Sequence, residues 1–122
     1  MKFYRCKKCG KIVCLIKETS AEMACCSETM KELVVGTGDG ALEKHVPVYS
    51  HANGIVWVRV GTLEHPMTES HYIAWIVLET KAGYQLKYLK ACCYPEAQFA
   101  LIPHDEIIHV YAYCNMHGIW RR

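Results

Sequence analysis

The amino-acid sequence predicts a mainly β chain, a small metal-stapled module followed by a sandwich of antiparallel sheets. Three observations carry this. Five of the eight cysteines fall before residue 36, and none of the seven histidines does. Gly36-Thr37-Gly38-Asp39-Gly40 then marks a flexible connector. Beyond it come short β-branched and aromatic runs separated by turn signals, with no sustained helical period. The domains are therefore placed at residues 1–36 and 37–122.

In the first segment, Cys6-Lys7-Lys8-Cys9-Gly10 is a C-x-x-C knuckle. Two intervening residues let both thiolates face one ion, and Gly10 permits the tight turn behind them. Cys25-Cys26 supplies a second pair. Neighbouring side chains diverge, so a site built from both pairs is expected to be distorted from tetrahedral angles. Spacing alone leaves zinc and iron both open. So short a segment buries little core, and metal binding should supply much of its folding energy. Cys14 follows Val13 in an apolar run and reads as a buried thiol.

In the second segment, Asn53-Gly54 is a turn leading into Ile55-Val56-Trp57-Val58-Arg59-Val60, a strand by composition. His71 to Thr80 is a mostly apolar run, as in a strand buried on both faces. Lys81-Ala82-Gly83 is a short turn, and Gln85-Leu86-Lys87-Tyr88 alternates as the second arm of a hairpin. Residues 97–102 and 107–113 are two further strands. This spacing of short strands favours a sandwich.

Bulk properties exclude several classes. The chain has 122 residues and is 52% hydrophobic, which suits a packed core rather than disorder. Net charge is +2 with scattered basic residues, so no nucleic-acid surface is expected. No apolar run approaches membrane-spanning length, so no membrane partner is expected. The N-terminus has no signal-peptide pattern, and a cytoplasmic location is expected, where thiols stay reduced and eight cysteines point to metal before disulfides.

Three clusters carry the chemistry: Glu43-Lys44-His45; His65-Pro66-Met67 with His71; and Cys114-Asn115-Met116-His117. His45, His65, His71, His117 and Cys114 make five donors, one short of an octahedron. That set suits a redox-active iron with an open sixth position better than a closed zinc site. Lys44 and Glu43 beside the first histidine point to a small anion as the reactant.

Two resemblances join here. Cys6-x-x-Cys9-Gly10-x-Ile12-Val13 with Cys25-Cys26-x-Glu28-x-Met30-Lys31 resembles the desulforedoxin module. The three histidine clusters, with Val46-Pro47-Val48, Ile73-x-Trp75-Ile76 and Gly118-x-Trp120, resemble the catalytic domain of superoxide reductase. The whole chain is similar to desulfoferrodoxin, the two-iron form, over nearly all of its length. The resemblance implies an immunoglobulin-like sandwich and two irons per chain. One would be held by Cys6, Cys9, Cys25 and Cys26, where zinc is a possible substitute. The other would take His45, His65, His71 and His117 as equatorial ligands and Cys114 as axial thiolate. It further implies that Lys44 attracts superoxide and that Glu43 binds the oxidised iron. The activity implied is one-electron reduction of superoxide to hydrogen peroxide, with electrons from rubredoxin or a similar donor. The implied setting is oxidative-stress defence in an anaerobe, as a homodimer.

Two other classes fit parts of the pattern: a non-catalytic electron carrier or metal store, and a zinc-clip binding module. The Glu43-Lys44 pair favours the enzyme, since a carrier needs no anion-attracting face. His51, His104 and His109 lie outside the motifs and read as exposed or core histidines. Trp57, Trp75 and Trp120 are expected to pack the core or shield the iron. Cys92-Cys93 departs from the family pattern, which leads one to expect a polar, glycine-containing loop there; adventitious metal binding and oxidation are open to such a pair, and the inert reading is favoured.

Overall fold

The computed structural model describes residues 1–122 and divides into two units, Met1–Val34 and Val35–Arg122. In the first unit, β1 (Lys2–Arg5) pairs antiparallel with β2 (Ile12–Leu15). A second, two-stranded pairing joins β3 (Ala24–Cys25) to β4 (Glu28–Thr29), and β5 (Lys31–Glu32) returns to the free side of β1. The knuckle closes between β1 and β2, where the Gly10 N–H donates to the Cys6 carbonyl at 3.0 Å and the Cys6 N–H to the Lys11 carbonyl at 2.9 Å. Only Phe3, Cys6 and Met30 are buried in this unit. Three side chains cannot offset the ordering of some thirty residues, so the metal must contribute to the fold. Cys14 is half-buried on β2 rather than sequestered.

The second unit opens with a single helical turn, α1 (Leu42–His45). Seven strands follow: β6 (Pro47–Ala52), β7 (Ile55–Val60), β8 (Ile73–Thr80), β9 (Gly83–Tyr88), β10 (Glu96–Ala100), β11 (Ile107–Cys114) and β12 (Gly118–Arg121). They form two antiparallel sheets, β10-β7-β6 and β12-β11-β8-β9, an immunoglobulin-like sandwich. Asn53 and Gly54 take φ of 51° and 75°, the conformation a two-residue hairpin turn requires, and Ala52 pairs directly with Ile55 across it. Strand β7 alternates as its sequence dictates: Val56, Val58 and Val60 enter the core and Ile55, Trp57 and Arg59 face outward. Trp57 is therefore 37% exposed, against the expectation that it packs the core, whereas Trp75 and Trp120 are buried.

Central β8 is buried at Ile73, Trp75, Ile76, Val77, Leu78 and Thr80, on both faces, as its unbroken apolar run requires. The core joins Val56, Val58, Val60 and Phe99 of one sheet to Ile73, Ile76, Leu78, Val110 and Ala112 of the other. Cys114 closes the same cluster at the end of β11. The core therefore grips one of the candidate donors directly.

The segment before α1 is not a free tether. A Cβ added at Gly38 would collide with the His117 carbonyl oxygen, and one at Gly40 with the His45 ring. The glycines are there because the backbone passes against two candidate donors, where any side chain would collide. Flexibility, the property glycine suggests in a sequence, is not their role here.

Candidate metal centres

The first centre gathers Cys6, Cys9, Cys25 and Cys26, all four sulfurs close enough to share one ion. Cys9 Sγ lies 3.7 Å from Cys25 Sγ, and Cys25 Sγ lies 3.8 Å from Cys26 Sγ. Metal–sulfur bonds of about 2.3 Å at tetrahedral angles put sulfurs about 3.8 Å apart. The adjacent pair reaches that spacing through its backbone: Cys26 and Ser27 take φ of 53° and 62°, so the strain anticipated at the metal is carried by two left-handed residues. The Cys9 amide helps hold the Cys6 thiol down at about 7, so this sulfur ionises readily. Thiol contacts led by Cys9 push Cys26 up to about 12, and a metal must displace that proton to bind. Lys8 lies at the rim, donating to the Cys26 carbonyl at 3.3 Å and pairing with Glu28 at 3.2 Å.

The second centre brings together His45, His65, His71, Cys114 and His117. They come from three local devices. His45 ends α1, whose turn is fastened to the next loop: the Leu63 N–H donates to the Glu43 carbonyl at 2.9 Å and the Thr62 hydroxyl to the same oxygen at 3.2 Å. His65 and His71 lie in the connection between β7 and β8. Cys114 ends β11, and His117 precedes β12 in a turn whose amide donates to the Cys114 sulfur at 3.4 Å.

The ring tautomers identify the donor atoms. His45 Nδ1–H donates to the Ala41 carbonyl at 2.8 Å, and His65 Nδ1–H to the Pro66 carbonyl at 2.6 Å. Each neutral ring then carries its lone pair on Nε2. Yet these two Nε2 atoms face each other at 3.0 Å, and His117 Nδ1 faces His45 Nε2 at 2.9 Å. The His45 and His65 lone pairs, aimed at one another, need a cation between them. His71 Nε2 is buried with no hydrogen-bond partner, a fourth nitrogen with its polar need unmet. Two ligands at a right angle, each with a bond of about 2.1 Å, stand about 3.0 Å apart, whereas tetrahedral ligands stand about 3.4 Å apart. The observed spacings match the right-angled arrangement, so the residues fit a metal of octahedral or square-pyramidal habit. Cys114 Sγ lies 3.6 Å from His117 Nδ1, farther than these nitrogens lie from one another.

Electrostatics prepares the same set. Burial, ahead of neighbouring charges, lowers His45 and His71 and takes His65 down to about 4, so these imidazoles stay neutral and available at ordinary pH. The Lys44 ammonium is a further cause for His45 and His71, which places its charge within reach of the centre. Burial raises Cys114, opposed by the amides of His117 and Met116. Trp120 stacks on His45 with centroids 4.8 Å apart, and Trp75 stacks on Tyr113, beside Cys114, at 5.0 Å. Glu43 and Lys44 are exposed on α1.

Sequence reasoning passed over Asn115. Its Oδ1 accepts the Tyr72 N–H at 2.9 Å, its Nδ2 donates to the Ser70 carbonyl at 2.9 Å, and its own N–H donates to the Tyr72 carbonyl at 3.1 Å. It clamps the turn bearing Cys114 and His117 to the backbone on both sides of His71. The motif C-N-x-H placed it between two donors, but only the fold shows what its amide reaches. His51 and His104 are exposed, and His109 packs edgewise on Tyr111 with centroids 5.8 Å apart.

Comparison with known proteins agrees with this geometry. A family profile described as Desulfoferrodoxin matches residues 37–122, and one described as Desulfoferrodoxin, N-terminal domain, matches residues 1–33. A desulfoferrodoxin from Nitratidesulfovibrio vulgaris is 42% identical over 118 residues, covering 97% of this chain and 92% of its own. The solved superoxide reductase from Treponema pallidum superposes with a TM-score of 0.83 at 39% identity, covering 99% of this chain and 97% of that one. A one-iron superoxide reductase from Giardia intestinalis matches with a TM-score of 0.56 at 34% identity, covering 66% of this chain and 95% of that one. With both its segments matched and both donor sets formed, the chain belongs to the desulfoferrodoxin family.

Proposed function

We propose that this protein is a superoxide reductase, with its reaction centre at His45, His65, His71, His117 and Cys114. The observation that carries the proposal is the convergence of three imidazole nitrogens, 2.9 and 3.0 Å apart, with the His45 and His65 lone pairs facing one another, beside an unpaired buried His71 nitrogen. Iron held there supplies the single electron that, with two protons, turns superoxide into hydrogen peroxide. The protein's own residues do the rest. Lys44, exposed and charged, raises the local concentration of the superoxide anion and speeds its encounter. Glu43, its neighbour on α1, is the proposed sixth donor of the oxidised resting centre. The sandwich core holds Cys114, and Trp120 holds the His45 plane, so the donors keep their places while charge changes.

Cys6, Cys9, Cys25 and Cys26 are the proposed ligands of a second iron, and residues 1–36 and 37–122 the two domains. Exposed Cys9 and Cys26, with Lys7 and Lys8 beside them, support entry of electrons from a small rubredoxin-like carrier at this end. Outward Ile55 and Trp57 on the three-stranded sheet support a homodimer. No helix is long and apolar enough to cross a membrane. The cytoplasmic assignment rests on the reduced thiols both centres require.

The test is metal analysis together with rapid mixing of the reduced protein against superoxide. Two irons per chain and second-order loss of superoxide, with hydrogen peroxide formed and no oxygen, are expected. Zinc in the histidine site of the active form, or oxygen as a product, would overturn the proposal.

A further inference from the structure

Cys92 and Cys93 belong to neither donor set. Both are exposed, neither is in a disulfide, and they stand side by side in the loop between β9 and β10. Cys92 takes a φ of 64°, a left-handed conformation that L residues rarely adopt. Its N–H donates to the Met67 carbonyl at 2.6 Å. Met67 lies between His65 and His71, and its sulfur accepts the Ile73 N–H at 3.4 Å while its side chain packs on the core. A thiol pair on a left-handed backbone is thus tied, through Met67, to the loop that carries two of the imidazoles.

We propose that Cys92–Cys93 is a peroxide-oxidised site, in which hydrogen peroxide released at the histidine centre converts the two thiols into a vicinal disulfide. The source of peroxide, though not the thiol chemistry, rests on the superoxide-reducing function. In the first step the sulfur of one cysteine, as thiolate, attacks a peroxide oxygen. The O–O bond breaks, leaving a sulfenic acid and a hydroxide that takes up the thiol's proton as water. In the second step the neighbouring sulfur attacks the sulfenic sulfur. The S–S bond forms, the S–O bond breaks, and a second water leaves with the second thiol's proton. Two thiols are oxidised by two electrons and one peroxide is reduced to two waters.

Geometry determines what kind of bond this is. Neighbouring Cα atoms are about 3.8 Å apart across a trans peptide, whereas disulfides ordinarily span about 4.4–6.8 Å. The closed ring is therefore strained and easily reduced, a reversible mark rather than a structural link. Any rotation of the Cys92 backbone on closure would disturb the Cys92–Met67 hydrogen bond.

The holoprotein, reduced and then treated anaerobically with stoichiometric hydrogen peroxide, tests this by thiol alkylation and mass spectrometry. The expected result is a monomer lighter by two hydrogen atoms, with Cys92 and Cys93 both protected from alkylation and both restored by dithiothreitol. Cys92→Ser and Cys93→Ser should each abolish the loss of two hydrogens while keeping full metal content. Retained alkylation of both residues, a covalent dimer, or irreversible oxygen addition would each overturn the proposal. A parallel arm supplies superoxide and an electron donor, with no added peroxide. Oxidation in the first arm but not in the second would uphold the thiol site and count against the superoxide-reducing function instead.

Discussion

Lys44 shows how much one charge does at this scale. Its ammonium helps to lower His45 and His71, so its field already reaches the nitrogens of the centre. The same field acts with opposite sign on an approaching anion. Lys44→Ala should slow the second-order reaction of the reduced protein with superoxide roughly tenfold at low ionic strength. Iron content should be unchanged, because the lysine donates to no metal. Added salt should slow the wild type more than the variant, since screening acts on the charge that was removed. Stopped-flow rates at two ionic strengths check both points, and equal rates for the two proteins would remove Lys44 from the encounter. Glu43→Ala should instead alter the absorption of the oxidised resting state and leave the encounter rate nearly untouched.

Elements place the residues, and here sequence and fold part company in an instructive way. The donors were legible because each lies in a short local motif. C-x-x-H ends one strand and leads into the next, and the C-x-x-C-G knuckle with the adjacent pair Cys25-Cys26 is a compact set of thiols within one short segment. The strands of the hairpin β8–β9 were legible because an unbroken apolar run followed by alternation has few other solutions. Strand β6 and the turn α1 were not. Tyr49, Ser50 and His51 on β6 give no apolar alternation, and four residues are too few for any helical period to register. The side-chain reach of Asn115 was equally hidden, because its partners at Ser70 and Tyr72 are more than forty residues away in sequence. That clamp makes its own prediction. Asn115→Ala removes two side-chain hydrogen bonds, a loss of about 2 kcal/mol in stability. It should also loosen His71, seen as a shifted or broadened ferric spectrum and a changed reduction potential. Asn115→Asp, which keeps the acceptor toward Tyr72, should recover part of the wild-type spectrum. A thermal melt and a redox titration separate the two effects. A destabilised variant with an unaltered spectrum and potential would make Asn115 a structural residue only.

At the scale of the molecule, two donor sets with no shared residue sit in two units that divide between Val34 and Val35. The first buries only three side chains, the second a core spanning both sheets. Their dependence on metal should differ accordingly. Cys9→Ser or Cys26→Ser should empty or disturb the cysteine centre and disorder the first unit, while superoxide reduction by the pre-reduced second unit persists. Circular dichroism with single-turnover rapid mixing checks this, and loss of the single turnover would mean that the reaction centre depends on the cysteine centre.

One further consequence comes from the strip of backbone at Gly40. The His45 ring is in contact with that backbone, which has no room for a methyl group, and with the indole of Trp120. A ring held by two such contacts cannot swing away from its ion unless one of them lifts. Escape of the metal is then a gated event, paced by opening of residues 36–41 and not by the lability of the bonds themselves. The lifetime of the bound ion should therefore respond to a substitution that touches no ligand. Gly40→Ala, forced to hold the strip ajar, should release iron to a competing chelator many times faster than wild type. Chelator-trapping time courses will show it, and release at the wild-type pace would mean that the ion leaves by another route.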